Sequence, residues 1–180
     1  MKAVYAALAI GAVCALASTP AFATSNTSNV TINATVAQSC STLTASGALN
    51  FSPNYDVFSS TAPTGNTSLS TNCTKGASVS FSVDGGAHAG SGSISGDRAM
   101  SDGSSHYLSY ELASDSGFTA PWQFSGSTAT PQGTTGLGNG SAEAMTLNVY
   151  GRIPSGQDAY VGSAATTLAY SDTVVASVNY

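Results

Sequence analysis

Charge is what this sequence has least of. Only 7% of its 180 residues are Asp, Glu, Lys or Arg, and the bases are just Lys2, Lys75, Arg98 and Arg152, against nine acids. A surface so poor in cations has little with which to neutralise phosphates, which excludes nucleic acid as a partner. Anionic membrane surfaces attract Lys/Arg clusters, so they are excluded on the same ground. Long apolar runs are also missing. The longest candidate, Ala3 to Ala17, is too short to cross about 30 Å of hydrocarbon, and Ser18, Thr19 and Pro20 end it. Membrane insertion is therefore not expected.

That short run fits a secretory signal instead. Lys2 precedes it and Ala21-Phe22-Ala23 supplies a small-x-small cleavage site, so residues 1–23 are expected to be removed on export. Cys14 is not read as a lipidation site, because Val13 rather than a small residue precedes it. Of the three cysteines this leaves Cys40 and Cys73. An isolated pair in an oxidising compartment is most simply a disulfide. A zinc site would need further ligands, and neither His88 nor His106 stands at zinc-site spacing. No metal or other cofactor is expected.

Ser, Thr, Gly, Asn and Ala dominate the remainder, a composition that tends towards disorder. Against that, islands of β-branched and aromatic residues recur at period two, with no helical stripe. Val30, Ile32, Ala34 and Val36 alternate with Thr31, Asn33 and Thr35. Leu43 to Phe51 is a second candidate strand, interrupted by Gly47. Leu69 to Cys73 leads to a third, with Val79, Phe81 and Val83 opposed by Ser78, Ser80 and Ser82. Asp84-Gly85-Gly86 is then a turn. Residues 84–105 are Gly/Ser-rich and read as a long connection. Tyr107 to Leu112 resumes the alternation. Residues 125–141 read as a second loop, before Met145, Leu147 and Val149. From Leu168 to Tyr180 the chain places Val174, Ala176, Val178 and Tyr180 on one face. Six or seven short strands separated by turn-formers predict one antiparallel sandwich domain.

Enzyme chemistry finds no anchor. No serine sits in a G-x-S-x-G elbow, and the glycines from Gly133 to Gly140 have neither the P-loop lysine nor dinucleotide-binding spacing. Glu111 and Asp115 could share one face of a strand as a glycosidase pair, yet nothing in the sequence buries them. His106 beside Ser104 and Ser105 is adjacency, not a triad. The N-x-S/T matches, such as Asn29-Val30-Thr31, follow from composition and bear on glycosylation only in a eukaryotic secretory route. The chain is read as non-enzymatic.

Several segments taken together resemble the spore coat protein U domain family, which includes the pilin subunits of archaic chaperone–usher fimbriae. They are Phe81-Ser82-Val83-Asp84-Gly85-Gly86, Arg98-Ala99-Met100, Leu108-Ser109-Tyr110-Glu111-Leu112, Val149-Tyr150-Gly151-Arg152-Ile153-Pro154 with Gln157, and Tyr170-Ser171-Asp172-Thr173-Val174. They follow Cys40 and Cys73 in order. The chain departs from the family's habits at Ala113, at Trp122-Gln123 and at Leu168-Ala169-Tyr170.

The resemblance implies an all-β, immunoglobulin-like antiparallel sandwich that is incomplete, lacking the final strand, with an N-terminal donor-strand extension. On that reading residues 1–23 are the signal, 24–39 the donor extension and 40–180 the sandwich. Val30, Ile32, Ala34 and Val36 would be the donor residues, and Val174, Ala176 and Val178 would line the acceptor groove. Tyr180 would end the chain at the terminus a chaperone grips. The partners implied are a periplasmic pilus chaperone, an outer-membrane usher and identical or related subunits. The location implied is a fimbria or the cell surface, reached through the periplasm, in the service of adhesion or biofilm formation. Three other readings stand beside this one. They are a spore or cell coat protein that forms no pili, a small outer-membrane β-barrel ending on Tyr180, and a carbohydrate-binding or tip adhesin module, for which Trp122 would have to be an exposed aromatic and not the packing residue it is read as.

Overall fold

The computed structural model describes residues 25–94, 98–125, 128–129, 132–138, 140, 144–161 and 167–180. The expected signal, residues 1–23, lies outside them. The chain divides into two units, residues 1–35 and 36–180. In the first, residues 25–35 form no strand and every one is exposed.

The second unit is all-β, with no helix among the described residues. Its strands are β1 (Thr44–Ala45), β2 (Thr64–Thr71), β3 (Ser78–Val83), β4 (Arg98–Ser101), β5 (Tyr107–Ala113), β6 (Phe124–Ser125), β7 (Thr128–Ala129), β8 (Gln132–Leu137), β9 (Met145–Arg152) and β10 (Ala176–Asn179). A five-stranded sheet runs β1-β2-β9-β5-β4, a three-stranded sheet runs β10-β3-β8, and β6 pairs with β7. Every pairing is antiparallel. This is an immunoglobulin-like sandwich. Its sheets end in edge strands among the described residues and do not close on themselves as a barrel would.

The alternating segments behave as their pattern demands. In β9, Leu147, Val149 and Gly151 are buried while Thr146 and Asn148 are exposed. The β2–β9 ladder runs unbroken from Thr64↔Arg152 to Thr71↔Met145. Leu69, Leu147 and Val149 from one sheet and Val79, Phe81 and Val83 from the other belong to a single core cluster. Removing such side chains from water is the main stabilising term, at about 25 cal/mol per Å² of apolar surface.

Cys40 and Cys73 are disulfide-bonded, 33 residues apart in sequence. The bond sits on an antiparallel bridge between the same two residues. Thr74 reinforces it. Its backbone N–H donates to the Ser39 carbonyl at 2.8 Å, and its hydroxyl reaches the carbonyls of Ala37 and Ser39 at 3.3 and 3.2 Å.

The structure corrects three expectations. The 84–105 stretch contains β4, whose four residues are all buried, so it has no alternation to read. The 125–141 stretch contains β7 and β8. Leu43 to Phe51 yields only the two-residue β1, because the chain there lies over two glycines. Gly65 and Gly151 face each other across β2 and β9. A Cβ on Gly65 would fall 2.2 Å from the Asn50 carbonyl oxygen, and one on Gly151 would lie 3.0 Å from Leu49 and Phe51.

Candidate functional site

A cavity of about 1190 Å³ opens in the second unit. Its floor is apolar, set by Leu69 of β2, Leu108, Tyr110 and Leu112 of β5, Val149 of β9, and Ile153. One wall is the stretch seated on the glycine pair, including Leu43, Leu49 and Phe51. The other is 167–176, including Val174 and Ala176. The site is therefore a groove between two chain segments that both lie over the floor.

Beyond the second wall the chain continues into β10, which pairs with β3 from Ala176↔Val83 to Asn179↔Ser80. Among the described residues β10 has no strand on its other side, so that edge is unpaired. Unpaired backbone N–H and C=O groups beside exposed apolar surface form a template for another strand.

Of the expected acceptor residues, Val174 and Ala176 line the groove, and Val178 does not. Val178 sits in β10 opposite Phe81, half-buried against the core. Tyr180 is 58% exposed. The expected donor residues form no strand, and Val30, Ile32 and Val36 are 82%, 89% and 84% exposed.

Sequence reasoning missed a polar network at the groove's end. Asp172 has a side chain only 2% exposed. Its Oδ1 accepts from the Ala87 N–H at 3.0 Å and from His88 Nδ1 at 3.2 Å, and its Oδ2 accepts from the Tyr110 hydroxyl at 2.6 Å. Burial, and then the hydrogen bond to Asp172, push the Tyr110 phenol far above its ordinary 10.0. Beside it, Arg98 is buried and donates to the carbonyls of Asp84, Trp122 and Val83 at 2.7, 3.0 and 3.0 Å, with Phe124 under its guanidinium. The Gln157 side chain clasps β5, accepting from Ser109 N–H at 2.7 Å and donating to its carbonyl at 2.9 Å. Asp84, Arg98, Tyr110, Gln157 and Asp172 each come from a different segment of the resemblance. Their order was readable. Their convergence was not, because each contact spans many residues of chain.

The groups weighed for chemistry have structural employment. Glu111 Oε2 is 2.5 Å from Arg152 Nε. Asp115 organises its own loop, accepting from Gly117, Thr119 and Ala120 N–H, and these bonds hold its carboxyl below the ordinary Asp value. His106 Nδ1 lies 2.6 Å from Asp102 and its ring stacks on Tyr160 at 4.0 Å. Trp122 is buried, as a packing residue is, and does not stand as an exposed binding aromatic. Among the described residues no group of His, Cys, Asp and Glu could hold a metal ion, and no helix is long and apolar enough to cross a membrane.

The model of the spore coat protein U domain matches residues 26–177. The chain belongs to that family. No curated protein matches it. Among solved structures it is similar to one described as the CsuC–CsuE chaperone–tip adhesion subunit pre-assembly complex from archaic chaperone–usher Csu pili of Acinetobacter baumannii. The identity is 16%, the TM-score is 0.47, and the likeness covers 81% of this chain and 40% of that one. This spore coat protein U domain therefore spans well under half of the solved chain it matches.

Proposed function

We propose that this chain is a structural subunit of an extracellular fimbria, assembled by the chaperone–usher route through donor-strand complementation. Residues 24–39 are the donor extension and 40–180 the accepting sandwich. One observation carries the reading. The same chain holds an apolar groove beside an unpaired strand edge and an exposed alternating segment, Val30 to Val36, that joins no sheet. Each is costly in water, and each is what the other lacks. Strand addition to an open edge is an established binding mode in which backbone pairing gives affinity and alternate side chains give register.

Burying Val30, Ile32, Ala34 and Val36 would contribute about 5–8 kcal/mol, before the cost of ordering the segment is subtracted. A periplasmic chaperone covers the groove first and grips Tyr180. At the usher, the extension of the next identical or related subunit replaces it. The fimbria then serves adhesion or biofilm formation at the cell surface. A subunit with residues 24–39 deleted is expected to bind its chaperone and fail to polymerise. Fibres formed by that truncation would show the donor assignment to be wrong.

A further inference from the structure

Val174 lines the groove with Val83, Leu108 and Tyr110 and packs, half-buried, against the core cluster to which they belong. The backbone on both sides of Val174 is fastened as well. Ser171 exchanges both backbone hydrogen bonds with Ser101 of β4, at 2.9 Å each. Ala176 pairs with Val83 of β3. Between these points the chain crosses from one sheet to the other.

Two carboxylates hold the crossing. Asp84 Oδ1 accepts from the Val175 N–H at 2.8 Å, and the Asp84 N–H donates to the Val175 carbonyl at 3.0 Å. Asp172 reaches further, bonding Ala87, His88 and the Tyr110 hydroxyl on two other elements. Its socket is shaped for a carboxylate. Gly86 has φ +78°, and a Cβ there would lie 2.0 Å from Asp172 Oδ2. Only glycine both adopts that backbone without strain and leaves the oxygen room.

Resting on the donor-strand reading above, we infer that Asp172 is a positioning residue, which fixes the 167–176 wall in one place on the floor so that the incoming segment meets a groove already formed. Preorganisation of this kind lowers the ordering cost of binding. It acts before contact, and therefore on association more than on dissociation.

The test uses the full exported chain, kept monomeric at low concentration, and a synthetic peptide of residues 26–38 as probe. Surface plasmon resonance gives the rates, and hydrogen exchange of the unliganded chain reports the wall directly. In Asp172→Ala, the Ala87 and Ser171 amides are expected to exchange at least tenfold faster. Peptide association should slow at least tenfold, with dissociation changed less than threefold. Asp172→Asn, which keeps an acceptor for Ala87, should fall between the two. Should the alanine variant not fold, Tyr110→Phe carries the same comparison with a smaller effect. Unchanged association in a folded Asp172 variant, or a loss confined to dissociation, overturns the inference and leaves the donor reading standing. A wild-type chain that binds no peptide removes the donor reading, and this role of Asp172 with it.

Discussion

The Tyr110 hydroxyl donates to Asp172 Oδ2 at 2.6 Å, joining the middle of β5 to the segment that ends the sandwich. Tyr110→Phe deletes the donor and leaves a buried carboxylate one partner short. A hydrogen bond to a charged group is worth about 1.5–3 kcal/mol, and a loss in that range is expected by urea denaturation. The phenol's raised pKa adds a sign that can be checked. A group that binds its proton more tightly when folded stabilises the fold below its unfolded value of 10.0, and that stability drains away as pH rises beyond it. Wild-type stability should fall with pH above that point. Tyr110→Phe should fall less steeply.

The acid side has the opposite sign. Burial acts to raise the Asp102 carboxyl, but the N–H groups of Ser104 and His106 and the His106 ring outweigh it and hold it below the ordinary 3.8. Asp115 is lowered by the Thr119 and Ala120 N–H groups first. Groups lowered in the fold stabilise it above their unfolded value and cease to as pH falls through the folded one. The double variant Asp102→Asn/Asp115→Asn is expected to show a shallower loss of stability below about pH 4, read by denaturation at stepped pH.

Reducing the Cys40–Cys73 bond frees a loop whose ends are 33 residues apart. Chain entropy alone predicts a loss of about 3–4 kcal/mol. Cys40→Ser/Cys73→Ser should match the reduced wild type in denaturant midpoint, and added reductant should not shift the variant further.

Gly65 and Gly47 make a contrasting pair. Alanine at either gains about 0.5–1 kcal/mol by restricting the unfolded chain. At Gly65 the new Cβ meets the Asn50 carbonyl oxygen at 2.2 Å, and displacing backbone of this kind costs about 1–3 kcal/mol. Gly65→Ala should therefore destabilise. Gly47 has nothing within 4 Å, so Gly47→Ala should be neutral or slightly stabilising when the two variants are compared by thermal denaturation.

Much of the sandwich was legible because half-buried strands advertise themselves at period two. The β3, β5 and β9 strands all fall where alternation placed them, and the cysteine pair was visible from its isolation. The β4 strand was hidden because Arg98, Ala99, Met100 and Ser101 are all buried, the arginine by bonding carbonyls. The β8 strand was hidden by its glycines and threonines, which read locally as loop. Alternation set Val174, Ala176, Val178 and Tyr180 on one face, of which Val174 and Ala176 line the cavity and Val178 does not. The opposite wall depends on a glycine pair 86 residues apart that only the β2–β9 register brings together, and no local pattern announces it.

The Cys40–Cys73 bond has a mechanical consequence. Any tension transmitted along residues 25–39 enters the sandwich at Cys40, where the load passes through a covalent link to the chain just beyond β2. The short β1 behind it, with only two paired residues, is spared from being peeled away one hydrogen bond at a time.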